Sequence, residues 1–199
     1  MEVSARLSDE DRRKWDERYG QGAYEGRPSP SPWLVRWLPQ APPGKALDVA
    51  CGLGRNARFM ADSGYRVDAV DISQQAIDRG AELAANQGLQ VSWLAWDLDT
   101  GLPEALDGYQ VIALFRYVNA PLLETLAERL TPGGYLIVEE HLQTSEQVAG
   151  PRNPSFRLAQ GELRRQLDGL RLIAAEESLL QDPDGQTVAL TRAVAQKVG

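Results

Sequence analysis

Apolar residues form short runs that alternate with stretches of helical spacing, and this alternation begins near Lys45. Short, largely apolar runs are typical of buried strands, and apolar positions repeating every three or four residues are typical of amphipathic helices. The predicted strands are 46–50, 65–71, 91–96, 109–115 and 135–139. Helical segments follow the first, second, fourth and fifth of these strands. The alternation predicts a parallel sheet with helices on both faces.

The last part of the chain follows another pattern. Two strands, 170–180 and 187–197, are separated only by the turn sequence Asp182-Pro183-Asp184-Gly185. A parallel crossover needs about a dozen residues or more, so these two strands must pair antiparallel. The predicted fold class is therefore α/β, with a doubly wound, Rossmann-like seven-stranded sheet that is mostly parallel and ends in an antiparallel hairpin.

Residues 1–43 lie outside the alternation. The pattern predicts a short helix from Ser8 to Arg18, then an aromatic and proline-rich stretch, and a second short helix that begins at Pro32. The aromatic content favours packing on the domain over a loose tail. We expect residues 1–43 to form an N-terminal helical and aromatic extension, and residues 44–199 to form the main domain.

Composition narrows the class of protein. The chain has 199 residues, 43% of them hydrophobic, and a net charge of −7. An acidic chain is not expected to bind nucleic acid as its main partner. A single Cys and a single His exclude an internal disulfide framework and argue against a His-rich metal site. No apolar signal-peptide core or membrane-length run is present, so we expect a cytoplasmic protein without a membrane partner.

The main candidate for a ligand site is the sequence from Leu47 to Asn56, a strand followed by a glycine-rich turn and a helix start. Glycines let the backbone approach a ligand closely, and the first helix amides offer donors. Asp71 ends the second predicted strand, 17 residues after Gly54. At the carboxyl edge of a doubly wound sheet, such a carboxylate can accept hydrogen bonds from ribose hydroxyls. The pattern predicts an adenosine-containing ligand.

Three features favour S-adenosylmethionine over NAD as that ligand. Asp48 lies inside the first strand, where an acid would repel a pyrophosphate but can serve an ammonium group or a water. Asp97 follows the third strand, where it can accept from an adenine amine. A terminal hairpin is also not how a dinucleotide-binding fold ends. The spacing Gly52-x-Gly54-x-x-Ala57 still fits the dinucleotide fingerprint, so an NAD-type oxidoreductase stays an alternative.

From Lys45 onward the chain resembles the class I S-adenosylmethionine-dependent methyltransferases, whose first motif is matched by residues 47–54, with Ala50 at a usual glycine position. The resemblance implies that S-adenosyl-L-methionine is the cofactor, that S-adenosyl-L-homocysteine is its product, and that no metal is needed. The resemblance also implies that residues at the carboxyl ends of the strands contact the methionine portion, the ribose and the adenine of the cofactor. The implied cofactor residues are Tyr19, Asp48, Ala50, Cys51, Gly52, Asn56, Asp71, Ile72, Asp97, Leu98 and Phe115.

A finer resemblance links the chain to the small tellurite-resistance and thiopurine-type methyltransferases. It is carried by residues 15–19, by Gly54-Arg55-Asn56 and by residues 150–154 with Gly161-Glu162-Leu163. It implies a small-molecule methyl acceptor, such as a thiol or a chalcogen oxyanion like tellurite, and an N-terminal lid, residues 1–43, that closes over the cofactor. A monomer or a homodimer is expected, and a non-catalytic cofactor-binding protein is a further alternative.

The predicted catalytic residues lie beyond the fourth and fifth strands. His141, the sole His, follows the fifth strand and could act as a general base. Tyr117, Arg116 and Arg152 are further pocket candidates. Arg152 belongs to an unpatterned segment, 141–160, that we expect to cover the substrate. An oxygen or nitrogen acceptor would need a base, for which His141 and Glu140 are available. A soft sulfur, selenium or tellurium acceptor needs little help from a base, and the sequence leaves both kinds of acceptor open.

Overall fold

The predicted sheet is present in the computed structural model, which describes the backbone from residue 2 to residue 199 and the side chains from residue 9. Its seven strands run in the order β3-β2-β1-β4-β5-β7-β6. The strands are β1 (Lys45–Val49), β2 (Arg66–Asp71), β3 (Val91–Ala95), β4 (Tyr109–Phe115), β5 (Leu130–His141), β6 (Arg171–Gln181) and β7 (Thr187–Gln196). The first five strands pair parallel, and β7 pairs antiparallel with β5 and β6. The predicted fold class is confirmed.

Six helices accompany the strands in the described part of the chain. They are α1 (Glu2–Gly20), α2 (Pro32–Trp37), α3 (Arg55–Asp62), α4 (Gln74–Asn86), α5 (Ala120–Glu128) and α6 (Glu162–Gln166). Several begin at a side-chain cap: the hydroxyl of Ser73 accepts a hydrogen bond from the Ala76 amide, and Asn119 caps α5 through the Leu122 amide. The described part of the chain has no helix that is long and apolar enough to cross a membrane.

The strands separate two apolar clusters, as the twofold repeat of a strand requires. In β4, Ile112 and Leu114 belong to a cluster with residues of α5 and α6, whereas Val111 and Ala113 belong to a cluster with residues of α2 and α3. All four are almost completely buried. The central strands are thus covered on both faces, which explains their nearly continuous apolar sequence.

The two helices of the N-terminal extension have different positions. Helix α1 packs against α4. Helix α2 lies in the core instead, because Trp33 and Leu34 are 3% and 0% exposed and the indole of Trp33 donates to the Ala193 carbonyl at 3.3 Å. The hydroxyl of Ser31 caps this helix at the Trp33 amide. The division of the chain at residue 43 stays a prediction, and α2 is packed as an integral part of the main core.

Two elements differ from the sequence prediction. Helix α1 begins at Glu2, six residues before the predicted start at Ser8, whose side chain lies outside the described residues. Strand β5 begins at Leu130 and includes the predicted turn 132–134. The reason is pairing with the end of the chain, because Gly133 donates to the Lys197 carbonyl at 2.8 Å. A proline and two glycines indicate a turn locally, but the neighbouring strand overrides that preference.

The buried position of Trp33 generates a test of the role of α2. We expect Trp33→Ala to lower the free energy of unfolding by about 3–5 kcal/mol, because a large core side chain is lost and a cavity is left. Val35→Ala in the same helix is the matched control, since Val35 is 42% exposed and should cost less than about 0.5 kcal/mol. Urea unfolding measures both changes, and equal effects would show that α2 is not part of the core.

Candidate functional site

The carboxyl ends of β1 and β2 meet at a sharp turn built from residues 50–54. Ala50, Gly52 and Gly54 have positive φ angles of 53°, 54° and 68°. Glycine adopts this left-handed conformation without strain, whereas Ala50 does so at a cost of about 1–2 kcal/mol. The amide of Cys51 donates to the Val70 carbonyl at 3.0 Å, which attaches the turn to β2. The Gly54 amide donates to the Cys51 carbonyl at 2.9 Å, so the turn is also held by a hydrogen bond of its own.

Asp71 fixes this turn through its carboxylate. One oxygen, Oδ2, accepts a hydrogen bond from the Gly52 amide at 2.8 Å, and the other, Oδ1, accepts from the Ser73 amide at 3.0 Å. Burial raises the pKa of Asp71, and the two amide donors act in the opposite direction. A carboxylate has roughly four acceptor positions, so capacity remains for the two hydroxyls of a ribose. The residue therefore fits the adenosine-binding role expected from the sequence.

Asp48 accepts a hydrogen bond that the sequence does not predict. Its Oδ2 accepts a hydrogen bond from the Ala57 amide, in the first turn of α3, at 2.9 Å. The side chain is 1% exposed, and burial raises its pKa to about 7. A carboxylate at a helix N-terminus is stabilised by the free amides there. Asp48 thus holds the start of α3 against β1.

Tyr19 covers the turn from the N-terminal side. Its ring stacks on Trp15 with centroids 5.9 Å apart, and a Cβ added at Gly52 would lie 2.8 Å from the Tyr19 hydroxyl oxygen. A larger residue at Gly52 would displace the Tyr19 hydroxyl and would also be strained by the positive φ angle. Burial and the charge of Asp71 raise the pKa of Tyr19, so its hydroxyl is protonated and can donate.

The end of α1 is attached to the start of α4. The carboxylate of Asp16 accepts from the Ser73 hydroxyl at 2.6 Å and from the Gln75 amide at 3.2 Å. Ser73 in turn donates its amide to Asp71. Tyr19 is therefore held over the turn by the same group of residues that holds Asp71.

The other predicted cofactor residues lie around this edge. The Asn56 side chain accepts from the Ser31 amide at 2.9 Å and so joins α3 to the entry of α2. Asp97 caps the short turn Leu98–Thr100 through the Asp99 amide at 3.0 Å, and Leu98 is buried. Phe115 is buried in the cluster beneath α2.

Two predicted cofactor residues flank the turn itself. Ile72 and Cys51 are half-buried, and burial raises the pKa of the Cys51 thiol. A protonated thiol is a poor nucleophile, which agrees with a wall position for Cys51.

The three predicted catalytic residues are not gathered at one point. The Tyr117 hydroxyl donates to Asp99 Oδ1 at 3.1 Å, on the side of the predicted adenine position. His141 is half-buried at the end of β5, and burial together with the neighbouring arginines Arg116 and Arg157 lowers its pKa to about 3. Arg152 is exposed. Their catalytic roles stay predictions.

The candidate Arg116 belongs to an ionic cluster on the hairpin side, and the sequence does not predict the partners in this cluster. Arg116 donates to Glu139 Oε1 and to Asp182 Oδ1, each at 2.9 Å, and Glu139 is 2% exposed. Arg27 pairs with Asp182 at 3.6 Å and also with Asp184. The sequence marks residues 182–185 only as a turn, and partners so far apart along the chain leave no local signal.

The raised pKa of Asp48 generates a pH-dependent prediction. Its pKa lies above the usual 3.8 in the folded state, so between about pH 4 and 7 the folded chain binds a proton that the unfolded chain has lost. Stability due to this group is full below pH 4 and falls as the pH rises to 7. Asp48→Asn keeps an acceptor for the Ala57 amide and should remove this fall, which is on the order of a few kcal/mol.

Urea unfolding of both proteins from pH 4 to 8 measures that difference. We expect the difference in the free energy of unfolding between Asp48→Asn and the parent to grow in favour of the variant as the pH rises from 4 to 7. A gap that stays constant over this range would contradict a raised pKa at Asp48.

Comparison with known proteins shows what this chain is similar to. Residues 46–134 match the family described as a methyltransferase domain. Two curated relatives are hemagglutinin 1 of Eikenella corrodens, 29% identical over 69% of this chain, and the probable S-adenosyl-L-methionine-dependent methyltransferase TehB of Haemophilus influenzae, 27% identical over 61%. The matches span 47% and 44% of those relatives, so this chain corresponds to about half of their length.

Solved structures share the fold over most of the chain. The crystal structure of TehB from Haemophilus influenzae covers 92% of this chain and 67% of its own, with a TM-score of 0.72 and 21% identity. The N-methyltransferase NodS of Bradyrhizobium japonicum, in complex with S-adenosyl-L-homocysteine, covers 83% of each chain with a TM-score of 0.64 and 16% identity. The cofactor class predicted from the sequence is confirmed. Residues 46–134 of this chain match a methyltransferase domain, and the chain shares its fold with proteins named as S-adenosylmethionine-dependent methyltransferases.

Proposed function

We propose that this chain transfers the methyl group of S-adenosylmethionine to a small-molecule acceptor, such as a thiol or a chalcogen oxyanion like tellurite. The observation that carries the proposal is the turn at residues 50–54, which is bonded to Asp71 and covered by Tyr19. This arrangement provides a buried carboxylate for a ribose and an aromatic cover over the turn. We further propose a cytoplasmic protein that acts as a monomer or a homodimer on a partner other than nucleic acid.

The protein supplies alignment and shielding in this proposal. When bound, the cofactor supplies an activated methyl group on a sulfonium sulfur. Asp71 orients the adenosine end through acceptor positions that the Gly52 and Ser73 amides leave free. Tyr19 excludes water from the turn. Holding the two reactants in line is worth roughly 7–11 kcal/mol of the barrier, so no covalent chemistry by the protein is needed.

The state of His141 favours a soft acceptor atom. Its pKa of about 3 makes it a neutral and weak base near pH 7. A thiol, selenium or tellurium acceptor reacts with little help from a base, whereas a hydroxyl or amine acceptor needs one. NodS is named as an N-methyltransferase, so the fold serves other acceptor atoms in that protein. The burial of His141 among arginines supports the softer choice here.

A binding experiment tests the cofactor and the reaction class together. We expect calorimetric titration to show binding of S-adenosylmethionine and S-adenosylhomocysteine and no binding of NADH. A screen with a labelled methyl donor over thiols, selenite, tellurite, phenols and amines should then show turnover with a soft acceptor. Binding of NADH alone would indicate an oxidoreductase. Cofactor binding without turnover on any acceptor would favour a non-catalytic protein.

The role of Asp71 gives a sharper prediction. Asp71→Ala should weaken S-adenosylhomocysteine binding by about 1.5–3 kcal/mol, because a charged hydrogen-bond partner of the ribose is lost. Asp78→Ala is the matched control, since Asp78 is an exposed carboxylate in the adjacent helix α4. Calorimetry measures both affinities, and thermal unfolding checks that each variant is folded. Unchanged affinity in the folded Asp71 variant would remove the ribose assignment.

A further inference from the structure

A second recess lies next to the cofactor turn, on the side of the β6–β7 hairpin. It has a volume of about 60 Å³ and is lined by residues 26–29, Arg55 and residues 182–184. Arg55 directly follows Gly54 of the turn, and the hairpin turn lies at the carboxyl edge of the sheet because β7 is antiparallel to β5. This volume is well below that of a site that encloses a whole small molecule, so the recess has room for a single small group such as a carboxylate. We name this recess the arginine cleft.

The arginines of this region differ in how they are paired. Arg27 pairs with Asp182 and Asp184, and Arg116 pairs with Asp182 and Glu139. Arg55 has no carboxylate oxygen within 4.0 Å among the described side chains. Among the described residues, the Arg55 side chain makes one hydrogen bond, in which Nη1 donates to the Ser29 carbonyl at 3.3 Å. The negative charges of Glu139 and Asp182 attract the Arg55 guanidinium only from a longer distance.

The unused donors of Arg55 determine what the cleft can bind. A guanidinium presents several N–H donors in a planar fork, and this fork matches a carboxylate or another oxyanion with two parallel hydrogen bonds. Arg55 is half-buried, so such bonds would be only partly screened by water. The neighbouring acids do not compete for these donors because Arg27 and Arg116 already occupy them.

We propose that the methyl acceptor carries an oxyanion group and that Arg55 binds this group in the arginine cleft. The inference rests on the proposed methyl transfer and adds the chemical class of the substrate. The shared chemistry is an oxyanion, either the carboxylate of an organic thiol acid or an inorganic selenite or tellurite. The short sequence distance from Gly54 to Arg55 places the anion anchor beside the cofactor turn.

A matched pair of thiols tests the substrate class. We expect kcat/KM for 3-mercaptopropionate to exceed that for the neutral 3-mercaptopropanol by about tenfold or more, since hydrogen bonds to a charged group are gained. Arg55→Gln should bring this ratio of kcat/KM values close to one. Arg55→Lys keeps the positive charge but loses the planar set of N–H donors, so its ratio should lie between those of the parent and of Arg55→Gln. Arg66→Gln, at an exposed position at the start of β2, should keep the parent ratio. Selenite and tellurite assays distinguish the inorganic source.

A binding measurement keeps the test independent of turnover. Propionate titrated into protein saturated with S-adenosylhomocysteine should bind the parent chain at least about tenfold more tightly than Arg55→Gln. Affinity for S-adenosylhomocysteine alone should be equal in the two proteins. If Arg55→Gln weakens the nucleoside ligand and not propionate, Arg55 serves the cofactor and the inference is overturned.

The two proposals fail in different ways. Equal turnover of the neutral and the acidic thiol by the parent chain overturns the oxyanion inference and leaves methyl transfer standing. Absence of turnover with every acceptor overturns the proposed function, and the propionate titration then decides on its own whether Arg55 is an anion site. Thermal unfolding of each variant shows whether a lost effect reflects a lost fold.

Discussion

The hydrogen bond from the Gly52 amide to the Asp71 carboxylate joins the carboxyl ends of the first two strands, and the shape of the site depends on it. The bond is 2.8 Å long and buried, where an amide without a partner would cost about 1–3 kcal/mol. It holds the turn at residues 50–54 in its left-handed conformation. The same carboxylate accepts from Ser73, which begins α4 and contacts Asp16 of α1. One side chain thus couples the turn, a helix start and the covering segment.

The N-terminal extension combines two functions that its sequence does not separate. Helix α2 supplies Trp33 to the core, and so belongs to the domain energetically. The segment around Tyr19 covers the cofactor turn through one aromatic side chain and the Asp16 contacts. Between them, Arg27 is paired to the hairpin turn by Asp182 and Asp184. The covering segment is therefore attached at both ends, by hydrogen bonds at α4 and by ion pairs at the hairpin.

Sequence reasoning succeeds here where the signal is local and repeated. Buried strands are apolar in short runs, residues 182–185 mark the hairpin, and the position of Asp71 at the end of a strand beside the glycine turn is as predicted. It fails where the decisive partner is distant along the chain. Residues 132–134 are drawn into β5 by the backbone of Lys197, and Arg27 meets Asp182 only in the folded chain. The left-handed conformation of Arg116 likewise has no sequence signal.

A crystal structure of the chain with S-adenosylhomocysteine tests the central claim most directly. The account predicts both ribose hydroxyls within hydrogen-bond distance of the Asp71 carboxylate. It also predicts the amino-acid end of the ligand against residues 50–52, with the Tyr19 ring covering it. A ligand bound at another edge of the sheet, or a ribose without contact to Asp71, would contradict the account.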